Sequence, residues 1–194
     1  MCQKFNKSVK LLAVKHFDEI YEIAADNYGL ITAAQAKDVG VVGAELNRYV
    51  AAGWLRKLGH GVYKITRYAP TEYDAYAEAV MQVGKDACLY GEAVLAMHGL
   101  ALVNPAKITV ATARRKRRRL PGWIEVVTLK EPVKVVSDMG IPSQSVAEAI
   151  RTCKGRIMPE RLSNAVEDAR SKGLLTTAEY NELKGEFHVS ENAE

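Results

Sequence analysis

The stretch from Thr32 to Ile65 constrains the fold more than any other part of the chain. It reads Thr32-Ala-Ala-Gln-Ala-Lys-Asp-Val-Gly40, then Val41-Val-Gly-Ala-Glu-Leu-Asn-Arg-Tyr-Val-Ala-Ala-Gly53, then Trp54-Leu-Arg-Lys-Leu-Gly-His-Gly-Val-Tyr-Lys-Ile65. Thr32 followed three residues later by Gln35 is a capping box and starts a short helix. Gly40 takes the positive φ that stops the helix and turns the chain. A second helix begins at about Val42, with Leu46, Tyr49 and Val50 at helical spacing on one buried stripe, and Gly53 ends it. Trp54–Leu58 and Val62–Ile65 are short alternating runs joined through Gly59-His60-Gly61, a hairpin pattern. Two helices with a tight turn and a following hairpin make a winged helix-turn-helix, the order in which a second helix enters the DNA major groove.

With Leu46, Tyr49 and Val50 turned inward, Gly43, Ala44, Asn47 and Arg48 face outward. The two small residues allow close approach to a groove. Asn47 has the amide that pairs with adenine, and Arg48 the fork that pairs with guanine or phosphate. Arg56, Lys57 and His60 decorate the wing, within reach of the backbone. Thr32 and Gln35, at the start of the first of the two helices, complete this DNA-facing set. A solvated face on a protein-docking module is the competing reading of the same pattern.

Charge is unevenly spread. Residues 1–67 carry ten Lys and Arg against six Asp and Glu, which is the whole net charge of +4; the remainder carries seventeen of each. Within that remainder Arg114, Arg115, Lys116, Arg117, Arg118 and Arg119 are consecutive, and without them it would stand at −6. Positive charge therefore sits in the winged helix and in one short segment. Six adjacent cations repel one another and belong on an exposed loop. They suit a phosphate clamp with steep salt dependence, or a contact to an acidic protein surface or tRNA, or simple solvation.

Composition sets the class. With 48% apolar residues over 194 positions, a packed core is expected. No apolar run approaches the roughly 20 residues that span a bilayer, and the N-terminus lacks a secretory apolar stretch, so a cytoplasmic protein with no membrane partner is expected. Cys2, Cys88 and Cys153 are scattered and read as reduced thiols, with Cys88 in the core.

In chain order, residues 1–15 form a loose basic start with Lys4, Lys7, Lys10 and Lys15. His16–Tyr28 is a helix with Phe17, Ile20, Tyr21 and Ala24 inward, closed by Gly29. Leu30-Ile31 is a short strand that pairs with the wing. Thr66–Pro70 is a linker, so the expected domains are 1–67, the winged helix, and 71–187, a small mixed α/β domain ending in helices: an α+β protein. Thr71 caps a helix to about Val83, with Tyr73, Tyr76, Ala77 and Val80 inward. Cys88–Tyr90 is extended and Glu92–His98 a small helix ended by Gly99. Ile108–Ala113 and Trp123–Leu129 are strands flanking the basic run, and Val133–Val136 is a third. Met139-Gly-Ile-Pro142 leads into helices at Gln144–Cys153, at Pro159–Lys172 and, after the capping box Thr176/Glu179, to about Lys184. The tail from Glu186 is expected to fray.

Catalysis has little support in these residues. His16, His60, His98 and His188 lack ligand spacing, so neither a metal nor a cofactor is expected. His98, next to Gly99, reads as a helix C-cap, a position that favours a cation. No phosphate-binding glycine loop or nucleophile elbow occurs. Glu182-Leu-Lys184 is a short nuclease-like pattern on a terminal helix with no upstream strand Asp.

Four stretches resemble the AbiEi-type antitoxins: Gly53-Trp-Leu-Arg-Lys-Leu-Gly-His-Gly-Val-Tyr63 their wing, Glu92-Ala-Val-Leu-Ala-Met-His-Gly-Leu100 their small helix, Ile108-Thr-Val110 and the strands after it their middle sheet, and Gly140-Ile-Pro142 their turn into the C-terminal helices. The match covers about residues 16–185. It implies the antitoxin half of a type IV toxin–antitoxin pair, not an enzyme: a transcriptional repressor of its own operon that binds double-stranded operator DNA through the winged helix, with a C-terminal domain that counters a nucleotidyltransferase-like toxin in phage defence. Family members usually carry a longer C-terminal region. The alternative is a module that inhibits a partner enzyme and binds nucleic acid incidentally. Oligomeric state is left open, because no dimerisation helix stands out.

Overall fold

A computed structural model describes residues 16–188. The chain divides into two compact units, Met1–Gln82 and Val83–Glu194, and it adopts the α+β class expected from the sequence.

The first unit opens with helix α1 over residues 16–25. Strand β1 (Leu30–Thr32), helices α2 (Ala33–Asp38) and α3 (Gly43–Ala51), strands β2 (Leu55–Gly59) and β3 (Val62–Ile65), and helix α4 (Asp74–Val83) follow. The strands form an antiparallel sheet in the order β1-β3-β2. The β1 strand expected from Leu30-Ile31 pairs with the wing, with Ile31 opposite Tyr63. Its core gathers Ile20, Ala24, Ile31, Ala36, Val41, Leu46, Tyr49, Leu55, Tyr63 and Ile65. These come from three helices and the sheet, the layered solution that lets each amphipathic element bury its apolar stripe. This is the winged helix-turn-helix.

Two local details depart from expectation. Tyr21 is exposed, and Ile23 is partly buried against the core instead. At 3.6 residues per turn the stripe through Phe17, Ile20 and Ala24 takes in position 23 and leaves 21 on the wet side. α1 also stops at residue 25, because Tyr28 and Gly29 have positive φ. Gly29 is irreplaceable on two counts. Its φ is +72°, and a Cβ there would stand 2.5 Å from Cγ of the Tyr68 ring.

In the second unit strands β4 (Ala87–Leu89), β5 (Ile108–Thr112), β6 (Ile124–Thr128), β7 (Val135–Asp138) and β8 (Ile141–Gln144) build one mixed sheet in the order β6-β5-β4-β8-β7. Helices α5 (Glu92–Met97), α6 (Val146–Thr152), α7 (Pro159–Ser171) and α8 (Thr177–His188) complete it. β8 is a correction to the sequence reading. Ile141–Gln144 does not pass straight into helix but pairs antiparallel with β7 and parallel with β4. Met139 and Gly140, at φ 48° and 74°, make the two-residue turn between β7 and β8; two successive positive φ values are the type I′ signature of a tight hairpin.

β5 and β6 run parallel, Ile108 beside Ile124 through Thr112 beside Thr128. The connection over residues 113–123 is therefore a crossover that returns the chain the full length of a five-residue strand, about 17 Å.

The C-terminal helix is longer than expected. α8 reaches His188, and Glu186 and Phe187 do not fray. Phe187 is buried, and Arg151 of α6 donates to Glu186 at 2.9 Å, to Glu182 at 3.0 Å and to Glu148 at 3.1 Å. One guanidinium of α6 thus ties α8 to it through two carboxylates, Glu182 and Glu186, while Glu148 steadies it from its own helix. The capping box at its start is present as read: Thr176 N–H and hydroxyl donate to Glu179, and Glu179 N–H donates to Thr176 Oγ1. These hydrogen bonds hold the Glu179 carboxyl below its usual range.

Candidate nucleic-acid interface

Helix α3 carries the candidate face. Leu46 and Tyr49 are buried and Val50 half-buried, while Gly43, Ala44, Asn47 and Arg48 are all exposed. Val42 is its N-cap and supplies no side-chain cap. The first amides of the helix thus point outward beside two residues with almost no side chain, the local arrangement that favours an anion.

The buried face of α3 holds a group that the sequence reading did not single out. Glu45 is only 7% exposed. Tyr49 donates its hydroxyl to Glu45 Oε1 at 2.8 Å, and His16 Nδ1 of α1 lies 3.2 Å from the same oxygen. The spacing of Glu45 and Tyr49, one helical turn apart, was the available signal; the third partner, twenty-nine residues upstream, was not. Burial, then the adjacent carboxylate, pushes the Tyr49 hydroxyl far above the usual phenol range, so it stays a donor. The Tyr49 ring meets Phe17 edge-on at 5.3 Å between centroids and stacks on Trp54 at 5.7 Å. The rotational setting of α3, and so of Asn47 and Arg48, is fixed from behind by this polar and aromatic cluster.

Thr32 and Gln35 lie at the start of α2 and are joined to each other. Thr32 N–H and hydroxyl donate to Gln35 Oε1 at 2.9 and 2.8 Å, and Gln35 N–H returns a bond to Thr32 Oγ1 at 3.2 Å. Arg56, Lys57 and His60 are exposed on the wing. Arg56 stands opposite Lys64, whose ammonium is engaged by Asp74 at 2.6 Å, so the pair of like charges across the strands is relieved by α4. Burial tends to raise the Asp74 carboxyl, but hydrogen bonds from Lys64 and Thr71 outweigh it and hold it low.

The basic run Arg114–Arg119 lies in the second unit, on the β5–β6 crossover. Arg114 is highly exposed and only 4.0 Å from a half-exposed Asp86, a pairing worth little in water. A Cβ at Gly84 would stand 3.6 Å from Lys116 Nζ and 3.7 Å from Arg118 Nη2, which places the middle of the run beside the turn into β4. The six cations are strung along a returning segment rather than gathered at a hairpin tip.

Other candidate groups have structural occupations. Glu182 bonds Arg151, and Lys184 bonds the Tyr180 hydroxyl at 2.9 Å and lies 3.6 Å from Glu167. His98 is the C-cap of α5, and the cation at that helix end is Lys172, which donates to His98 O at 2.7 Å. His98 Nε2 lies 2.6 Å from Asp138 Oδ2 without the alignment of a hydrogen bond. Among the described residues no group of three His, Cys, Asp or Glu is placed to hold a metal, and no helix is long and apolar enough to cross a membrane. Cys88 and Cys153 are free and buried; Cys2 and the lysines of residues 1–15 lie outside the described residues.

The region so built, from α1 to the end of β3, has a counterpart among known families. Residues 18–66 match the family of AbiEi antitoxin transcriptional regulators. The matched range lies within the first unit and closes on the winged helix itself, the part of the chain where the wing resemblance lies. This family is one of regulators and antitoxins, not a class of enzymes. The middle stretches that also resemble AbiEi proteins, from Glu92 to Pro142, fall outside the matched residues. No curated protein matches the chain at a significant level.

Proposed function

We propose that the protein is an autorepressor and antitoxin of a type IV toxin–antitoxin system. Residues 1–67 bind operator DNA, and residues 71–187 counter a nucleotidyltransferase-like toxin in the cytoplasm. The observation that carries the DNA-binding reading is the face of α3. Gly43, Ala44, Asn47 and Arg48 are exposed together, on the second helix of an AbiEi-type winged helix. Asn47 and Arg48 read base edges, the uncapped start of α3 takes a phosphate, and Arg56, Lys57 and His60 contact the backbone along the flanking groove. Thr32 and Gln35 lie at the α2 start, where a helix N-terminus faces the sugar-phosphate chain. The Arg114–Arg119 run adds contacts to phosphates without sequence choice.

The test is Arg48→Ala. A bidentate contact to guanine predicts a loss of about 1–3 kcal/mol in operator affinity and relaxed choice at one base position. Unchanged affinity would show that α3 is not the reading helix.

A further inference from the structure

The outer edge of the second unit's sheet carries a sequence that is complementary to itself. β7 is an edge strand, with β8 on one side. The tight Met139-Gly140 turn makes Asp138 and Ile141 the closing pair, and in a two-residue hairpin that pair exchanges both backbone bonds. Alternation then leaves Ser137 beside Pro142 without bonds, which suits a proline that has no N–H to give. Val136 and Ser143 are bonded, and Val135 and Gln144 are not. The same alternation is seen one step further on, where Ser145 N–H donates to Lys134 O at 3.3 Å. Lys134, Val136 and Asp138 therefore spend their backbone groups on β8, while Val135 and Ser137 aim theirs away from it.

Those two residues are each other's partners under a two-fold axis through Val136. Written Lys134-Val-Val-Ser-Asp138, the strand laid antiparallel on a second copy puts Val135 against Ser137 in both directions, each pair exchanging two backbone bonds. It puts Val136 against Val136 and Lys134 against Asp138 twice. Opposite charges directly across an antiparallel pair are favourable, and a strand that meets itself this way forms an isologous contact. The side chains agree. Val135 and Met139 are each 54% exposed and Ser137 is exposed between them. Two of the four large apolar side chains exposed among the described residues of this unit thus flank the one strand edge. Lys134 is mostly exposed, 3.8 Å from Glu179, and Asp138 keeps its contact with His98.

We propose that the protein dimerises through antiparallel pairing of β7 with β7 of a second copy, joining two five-stranded sheets into one. Five residues a side make a small interface, below the size of permanent ones, so the dimer forms with concentration. A two-fold pair of this kind matches the symmetry that helix-turn-helix proteins use on paired half-sites, but the pairing itself does not depend on DNA binding.

The test is sedimentation equilibrium of the full chain without DNA, from low micromolar to near-millimolar concentration. The wild type is expected to rise from 21.4 kDa toward twice that mass. Ser137→Pro removes an outward N–H and none that serves β8, and is expected to hold the protein at the monomer mass. Val135→Lys sets a charge on the exposed face of the strand and serves if the proline variant fails to fold; it too is expected to stay monomeric. A wild type that remains monomeric throughout overturns the proposal. So does a dimer that persists in a folded Ser137→Pro or Val135→Lys variant.

Discussion

Tyr49→Phe isolates the hydrogen bond that anchors α3 to its core. The phenylalanine ring keeps the edge contact with Phe17 and the stack on Trp54, so only the hydroxyl is lost. That hydroxyl donates at 2.8 Å to Glu45, and both residues are under a tenth exposed. Hydrogen bonds to charged groups contribute roughly 1.5–3 kcal/mol. The carboxylate keeps its contact with His16 at 3.2 Å and is not orphaned, so the lower end applies, about 1.5 kcal/mol. A second consequence concerns alkali. The folded phenol holds its proton far above the usual range, whereas the unfolded one releases it near pH ~10. Above that point the unfolded state binds fewer protons, so stability falls by up to about 1.4 kcal/mol per pH unit. Tyr49→Phe removes this slope. Hydrogen exchange by mass spectrometry on peptides from α3 and β3 reads the first unit alone. A loss under about 0.5 kcal/mol at neutral pH, the size expected of an exposed surface substitution, would refute the idea that Glu45 and Tyr49 fix the setting of α3.

Three further outcomes are expected. Gly29→Ala, with φ +72° and Tyr68 Cγ at 2.5 Å from the new Cβ, should destabilise the first unit by more than about 1 kcal/mol in a urea titration. Burial and Glu92 push the Cys153 thiol up to about 12, against roughly 8.5 when unfolded. The second unit should therefore lose stability as pH rises between those values, and Cys153→Ala should flatten that dependence in alkaline melts. Replacing Arg114–Arg119 by glutamine should lower the slope of log affinity against log salt equally for operator and random duplex; an unchanged slope would place the run outside the nucleic-acid contact.

The parts legible in the sequence are those fixed by neighbours along the chain. The capping boxes at Thr32/Gln35 and Thr176/Glu179, the stripe Leu46/Tyr49/Val50 and the wing glycines each announce themselves within one or two turns, and each is present. What stayed hidden depends on partners far away. β8 looked like a turn into a helix because Pro142 breaks most strands, and its place opposite Ser137 is one where the pairing with β7 asks no N–H of it. The parallel setting of β5 and β6 cannot be read from two alternating runs, since period two says nothing of direction. Glu45 drew no reading from the sequence, because its partner His16 lies far away on α1. Glu186 and Phe187 passed for a polar tail because their anchors are Arg151 and the core of the second unit.

The central claim is that α3 reads a defined DNA sequence. Its most direct test is binding of the full chain to the duplex just upstream of its own gene, titrated with salt beside a scrambled duplex of equal length. The account predicts a large preference for the upstream sequence that persists as salt rises, because base contacts remain after counterion release has weakened the phosphate contacts. Equal and steeply salt-dependent binding to both duplexes would contradict it, leaving only phosphate contacts to account for the binding.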